Sequence, residues 1–511
     1  MSDFETKESH PVGEAQSGTS GAVVEACGGR LRVTWDDDAE VTAYGLLPFF
    51  SEFLKETEFF ERWVSASPLT YTSNNAHAVR DVLGTIMLSL VSGQKRYSHI
   101  TSLRADPVVP ALFGMSTVVS EDSARRGLAR IENEAGTKWM QACLREVSEE
   151  LLQRPWILDI DTTIKPIYGH QEGAKLGYNP QKPGRPSHAY HSYIMANTRL
   201  ILDVEVVPGN EHASVNAQPG LWRLIDELPE GKRPTLLRGD CAFGNESFMS
   251  GAEDRNIQYL FKLRKSKGVK AVIRRAFRRS RWEDAGGGGW EGRIDSLTLQ
   301  GWSNERRVVV LRRKLKDDVV LQETATAQQQ LAFIEEEDPI DSYEVAVLVT
   351  SLNEDVFALA DLYRQRADAE NIFDEIKNQW GWGGFTTHDI ARCQMIARIG
   401  ALVFNWWSVF AGMAFRDRHV EGITSRPLLL HAIGRKTRHA GQQSLSVTSS
   451  HGKRKQVQKV LNRGNQFLGR LRNAAEQLSR KHKVLLIITY AFARFLQGTT
   501  LVESQFRYLL T

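Results

Sequence analysis

Cysteine is scarce in this 511-residue chain, with four in all: Cys27, Cys143, Cys241 and Cys393. They are scattered at no metal-ligand spacing, which argues against a zinc site and against a disulfide scaffold. Cys241 follows an aspartate, but nothing places a histidine base beside it, so a thiol nucleophile has no support. The pair His188-x-x-His191 lacks further ligands nearby and reads as loop and strand hydrogen bonding. No nucleotide loop and no catalytic Ser/His arrangement appear, which leaves small-molecule enzyme classes without a foothold. Met1-Ser-Asp-Phe-Glu-Thr-Lys has no apolar signal-peptide core, so a reduced, cytoplasmic chain is expected. Long apolar runs are also rare. Residues 395–415 form the most apolar segment, yet Arg398, Asn405 and Arg416 argue for a buried helix over a membrane span.

A strong net charge is lacking too, since the chain carries only +4 at 41% hydrophobic and 25% charged residues. Composition thus marks a soluble globular protein of two to four domains and no more. Distribution says more than the total. Lys262, Arg264, Lys265, Lys267, Lys270, Arg274, Arg275, Arg278, Arg279 and Arg281 follow one another with no acid among them. Between Arg426 and Lys483 the only acid is Glu476. Charge segregated this way is the footprint of a phosphate-binding surface, where a solvated helix face would mix signs.

Acids stand out where they should be costly. In Trp156-Ile-Leu-Asp159-Ile-Asp161-Thr-Thr the period-two pattern of a strand puts both aspartates on one side. A carboxylate in an apolar strand asks for a partner or a metal. Thr235-Leu-Leu-Arg-Gly-Asp240 is a second apolar run ending in an acid, and a helix follows it. Asp240 is therefore either a strand-end ligand residue or a helix cap. A third acid lies in Tyr363-Arg-Gln-Arg-Ala-Asp-Ala-Glu370-Asn-Ile-Phe-Asp-Glu-Ile-Lys377. At about 100° per residue, Tyr363, Arg366, Glu370 and Lys377 share a stripe about 60° wide on one helix. That stripe is either a salt-bridged surface, since Arg366 and Glu370 form an i, i+4 pair, or a grip for a metal ion and its phosphate.

Asp161-Thr-Thr, Arg238-Gly-Asp240 and the Tyr-x2-Arg-x3-Glu-x6-Lys array resemble the three catalytic blocks of bacterial insertion-sequence transposases of the DDE type. Tyr168-Gly-His-Gln-Glu-Gly and Lys182-Pro-Gly-Arg-Pro-Ser-His are similar to one branch of that group. The resemblance spans roughly residues 150–410, and the four-point array is its most specific part. It implies an α/β fold with an RNase H-like catalytic core, and Asp161, Asp240 and Glu370 as catalytic metal ligands, with Asp159 in reserve. It implies two Mg²⁺ ions, with Mn²⁺ able to substitute, roughly 3.5–4 Å apart. Arg366, Lys377 and Tyr363 are then expected to hold the DNA backbone, and Lys262, Arg264, Lys265, Arg274, Arg275, Arg278 and Arg279 to extend that surface. The implied partners are double-stranded DNA, as terminal inverted repeats and target, and a second copy in a synaptic complex. An RNase H-like nuclease or resolvase that does not join strands, and a domesticated DNA-binding protein, are the alternatives.

Along the chain, residues 1–25 read as a disordered tail. Residues 26–150 read as helical, with apolar spacing near 3.6 over 49–63, 78–93, 121–134 and 137–152. In the families resembled, such a domain contacts the inverted repeats. Ser120-Glu-Asp-Ser-Ala-Arg-Arg could open a helix-turn-helix reader or a plain bundle helix. Residues 151–265 hold strands near 156–162, 189–197, 199–207, 234–239 and 257–263 and helices near 214–228 and 245–255. The roughly 130 residues between the second aspartate and Glu370 exceed any single connection. A β-rich, all-β insertion is therefore expected over 266–345, with strand signals at 306–312, 330–334 and 343–350. Trp282, Trp290 and Trp302 read as packing residues there, although a tryptophan could stack on an extruded base. Residues 346–415 return to the core with the glutamate helix, and 416–511 read as basic and helical.

Overall fold

The computed structural model describes residues 22–36, 38–152, 155–179, 182–315, 340, 342–448, 452–474 and 478–496. An exposed hairpin, β1 (Ala22–Ala26) and β2 (Gly29–Val33), and a short strand β3 (Val41–Thr42) come first. Helices follow: α1 (Leu47–Thr57), α2 (Phe59–Ser65), α3 (Val79–Val91), α4 (Ile100–Leu103), α5 (Glu121–Ala129) and α6 (Asn133–Ser148). The single helix expected over 49–63 is two, because Glu58 takes a left-handed φ of 58° that an α ladder cannot carry. Ser120 caps α5 by accepting the Ser123 N–H at 3.2 Å, and Arg125 and Arg126 face outward.

The centre is a nine-stranded sheet. Strands β4 (Ile157–Pro166), β5 (Ser187–Met195) and β6 (Leu200–Pro208) form an antiparallel meander. Helices α7 (Ala213–Asn216) and α8 (Gln218–Asp226) lead to β7 (Leu236–Gly239), and α9 (Glu246–Glu253) leads to β8 (Gln258–Lys262). Both β7 and β8 run parallel to β4. Next come α10 (Lys267–Phe277), β9 (Glu283–Gly286), β10 (Trp290–Leu297), β11 (Arg306–Lys314) and β12 (Tyr343–Thr350). The strand order is β6-β5-β4-β7-β8-β12-β11-β10-β9.

The insertion differs from the all-β expectation in two ways. It opens with a helix, because Val269, Val272, Ile273 and Ala276 recur at helical spacing and are buried beneath the cations. Its strands also build no separate layer. Leu348, Val349 and Thr350 pair with Lys262, Phe261 and Leu260, so the edge of β8 gains hydrogen-bond partners and the core sheet continues. The strand expected at 330–334 and most of the expected tail at 1–25 lie outside the described residues. The three tryptophans pack: Trp282 carries the Arg312 guanidinium at 3.9 Å, Trp290 carries Arg313 and Trp302 carries Arg306.

The remaining elements are α11 (Val356–Arg364), α12 (Ala367–Gln379), α13 (Ile390–Ala414), α14 (Gly422–Leu429), β13 (Gly434–His439), β14 (Gln442–Val447), α15 (Arg454–Asn473) and α16 (Arg480–Phe492). The region after 416 is thus not wholly helical. Ala440 and Gly441, at φ 49° and 81°, make a tight two-residue turn that folds β13 onto β14.

Helix α13 is apolar enough to cross a membrane, but 94% of its apolar window is buried against β6, α3, α6, α15 and α16. Its polar residues explain themselves. Asn405 accepts from the Ile201 N–H at 2.9 Å and donates to the Ile201 carbonyl at 2.8 Å. Arg398 pairs with buried Asp203 at 2.8 Å and reaches the Thr137 hydroxyl at 3.0 Å. Trp63, Trp139, Trp406, Trp407, Phe50 and Phe410 pack into one aromatic mass that binds the amino-terminal helices to α13. Arg398→Met strands the Asp203 charge and should destabilise the protein by about 3–5 kcal/mol in urea unfolding. Adding Asp203→Asn should restore a substantial part of that loss.

Candidate active site

Three elements meet beyond the carboxyl end of β7, where open α/β sheets gather ligands; Asp240 follows that strand directly, whereas Asp161 is mid-strand, because β4 continues to Pro166 on β5. Register brings them together. Asp159 stands opposite Arg238 across the β4–β7 ladder, and Gly239 stands opposite Phe261 across β7–β8. Arg238 holds both oxygens of Asp159 at 2.7 Å and donates to the Leu362 carbonyl at the end of α11. All of this lies in a buried setting, with Arg238 at 1% and Asp159 at 3% exposure. The cost of a charged strand residue is met here by a bidentate ion pair. Both oxygens of Asp159, the reserve ligand, are thus engaged by Arg238.

Two residues along β4, on the same side, Asp161 bonds Arg366 through one oxygen and its neighbour Thr162 N–H through the other at 2.6 Å. Burial pushes its carboxyl up to about 6; Arg366 opposes this, and Asp240 and Glu370 add to it. Asp161 therefore senses both other acids. Asp240 follows β7 directly and accepts from the Ala242 N–H at 2.9 Å, so it caps a turn. The helix cap itself is Asn245. Lys262 and Arg264, exposed at the end of β8, reach this corner, since both act on the Cys241 thiol beside Asp240.

The expected single helix from Tyr363 to Lys377 is broken. Arg366 N–H bonds the Tyr363 carbonyl at 3.0 Å, and Ala369 N–H bonds the Arg366 carbonyl at 2.9 Å. These tight i→i+3 bonds end α11 and start α12. The i, i+4 pair of Arg366 and Glu370 nevertheless forms across the break. Arg366 is buried at 5% exposure, whereas the Glu370 side chain is 71% exposed and lies 3.7 Å from Arg366. Tyr363 is half-buried, and burial holds its phenol well above the usual range and so protonated. Lys377 shares the Glu370 face of α12 but makes no ion pair with the three acids; burial lowers its amine. A fourth acid, Glu375, is buried and takes bonds from the Gly422 N–H at 2.8 Å and Trp380 Nε1 at 3.1 Å, fastening α12 to α14.

Lys265, Arg274, Arg278 and Arg279 are exposed on and around α10, and Arg275 is tied to Asp295 at 2.9 Å. Both histidines of the 188–191 pair lie buried in β5, on the Glu172 carbonyl and the Thr162 hydroxyl, each at 2.8 Å. Among the described residues, no three carboxylate, imidazole or thiolate groups lie close enough to hold a metal ion. The oxygen-only donor set suits a hard cation; Arg366 supplies the positive charge at Asp161.

Residues 40–467 match the family described as Transposase DDE domain group 1. The chain belongs to this DDE transposase family. No curated protein matches it. Among solved structures it is similar to the cryo-EM structure of a piggyBac transposase synaptic complex with hairpin DNA. That likeness has 12% identity over 90% of this chain and 86% of that one, with a TM-score of 0.38, and is too distant to carry an argument.

The sequence motif of this family member assigns Arg238 no role. The signal was the pair itself: an acid and a cation in adjacent apolar strands. Arg238→Met should destabilise by about 3–5 kcal/mol, and the double variant with Asp159→Asn by clearly less than the sum of the single losses, read by urea unfolding. Asp161 carries the opposite pH sign to an ordinary ion-paired acid. Its raised carboxyl adds stability below the unfolded value near 4, and that stability is lost as pH rises through about 6. Asp161→Asn removes this titration, so its stability relative to wild type should move in the variant's favour between pH 5 and pH 7.5, read by urea unfolding at both values.

Proposed function

We propose that this DDE transposase acts on a mobile element through an RNase H-like core. It binds the element's terminal inverted repeats, hydrolyses the phosphodiester at each end and joins the freed 3′-hydroxyl to target DNA. The observation that carries this reading is the electrostatic set around Asp161. Asp240 and Glu370 both act on Asp161, and the Arg366 guanidinium lies against Asp161 and beside Glu370, in a chain of this family.

Divalent ions, two Mg²⁺ with Mn²⁺ as substitute, would be held by Asp161 and Asp240 with Glu370 reaching in, and when bound would neutralise the attacking and leaving oxygens. Glu370, exposed and on the first turn of α12, is free to make that approach. The rest falls to the chain. Arg366 holds Asp161 here, and its planar fork would suit a phosphate were a cation to take over that carboxylate. The protonated Tyr363 phenol donates a hydrogen bond to a phosphate oxygen. Lys262, Arg264, Lys265 and the outer face of α10 continue the positive surface for the backbone. Two ends must be brought together, so the working form is a dimer.

Short inverted repeats bracketing the reading frame supply the substrate. With Mg²⁺, wild type should nick those repeats and join them to a target duplex. Asp161→Asn, Asp240→Asn and Glu370→Gln should each lose about three orders of magnitude in nicking rate. Full-rate cleavage by Glu370→Gln would rule out the glutamate's role. Nicking without joining would assign the protein to hydrolysis alone.

A further inference from the structure

The hairpin β13–β14 belongs to the basic carboxyl-terminal zone, which the active-site chemistry leaves unused. Its base is clamped: Gly434 and Arg435 pair with Thr42 and Val41, and Lys436 bonds Glu40 through both its backbone N–H and its amine. Beyond that clamp the strands stand out alone. Alternation sorts their side chains. Arg435, Thr437 and His439 share a face with their cross-strand partners Ser446, Ser444 and Gln442, and all six are exposed.

The composition of that face is unusual for a surface. It has no acid, no apolar residue and no ion pair among the described residues, and every member can form hydrogen bonds. Neighbouring Lys436 and Arg438 bring the ribbon's formal charge to +3, with no acid between residues 434 and 447. A salt-bridged surface would mix signs, and a protein interface would present apolar anchors. Six residues per strand span about 20 Å, and a two-stranded ribbon fits the major groove of B-form DNA. Arginine and glutamine are the side chains that bond guanine and adenine edges bidentately, and serine and threonine accept either base.

We propose that β13–β14 is a base-reading ribbon, which enters a groove of the element-end duplex and gives the protein its sequence preference through Arg435, His439 and Gln442. The inference deepens the transposase reading and rests on it. Lys436 is engaged at the clamp, and Arg438 faces the other side, where it suits the phosphate wall.

The test is selection of bound duplexes from a random 30-base-pair DNA pool by the full-length protein, followed by sequencing. Wild type should enrich a motif. Arg435→Ser and Gln442→Ala should each flatten part of it, lowering preference for the motif over scrambled duplex by about tenfold, with affinity for scrambled duplex within about threefold. Arg435→Lys keeps the charge but not the planar fork, and should also lose the preference. Retention of the full motif by Arg435→Lys would mean a phosphate contact and overturn base reading. An unchanged motif in all three variants, with wild type binding DNA, would sink this inference alone. Failure of wild type to bind any duplex would remove the transposase reading along with it. Thermal unfolding of each variant checks that these exposed substitutions leave the fold intact.

Discussion

One guanidinium organises the centre of this protein. Arg238 grips both oxygens of Asp159 on the neighbouring strand and the Leu362 carbonyl at the end of α11. Each of these three residues, Arg238 and its two partners, stands just before a functional candidate. Asp161 lies two residues past Asp159, Asp240 two past Arg238, and Arg366 four past Leu362. A buried, bidentate pair has a narrow range of geometries, so strand register and helix position are set together. Sites that need carboxylates held to within a fraction of an ångström depend on such support.

A second constraint is electrostatic. Burial makes the Asp161 charge costly, and Asp240 and Glu370 add to that cost. Arg366 offsets this by sitting against Asp161, and the i→i+3 turn between α11 and α12 is what aims it there. The site therefore holds strain of charge rather than of backbone. A cation or a phosphate entering it would change which partner Arg366 prefers, and this links binding to the state of the acids.

Much of the catalytic core was legible in sequence. The alternation of Trp156 to Asp161, the apolar run before Asp240 and the helix spacing of 245–255 all found their elements. These are period signals, and period survives folding. The insertion was read less well. Its basic run was weighed as charge, although Val269, Val272, Ile273 and Ala276 carried a helical period beneath it. The ribbon β13–β14 was missed because its turn is Ala440-Gly441, which lacks the Asn-Gly or Asp-Gly signal, and because polar strands have no hydrophobic alternation to read.

Local pattern alone determined most element types of the central sheet, the placing of Asp161 in a strand and Asp240 just after one, the capped start of α5 and the family to which the motifs point. It could do so because dihedral preference and hydrophobic period act over a few residues. Only tertiary structure decided that Asp159 pairs with Arg238 and Asp161 with Arg366, where the Tyr363–Lys377 segment breaks, and that the inserted strands extend the central sheet. Those outcomes depend on register and on charges brought together from opposite ends of the domain, 79 residues apart for Asp159 and Arg238 and 205 for Asp161 and Arg366. Coulomb forces and hydrogen-bond geometry choose among such partners only after the chain has closed those loops.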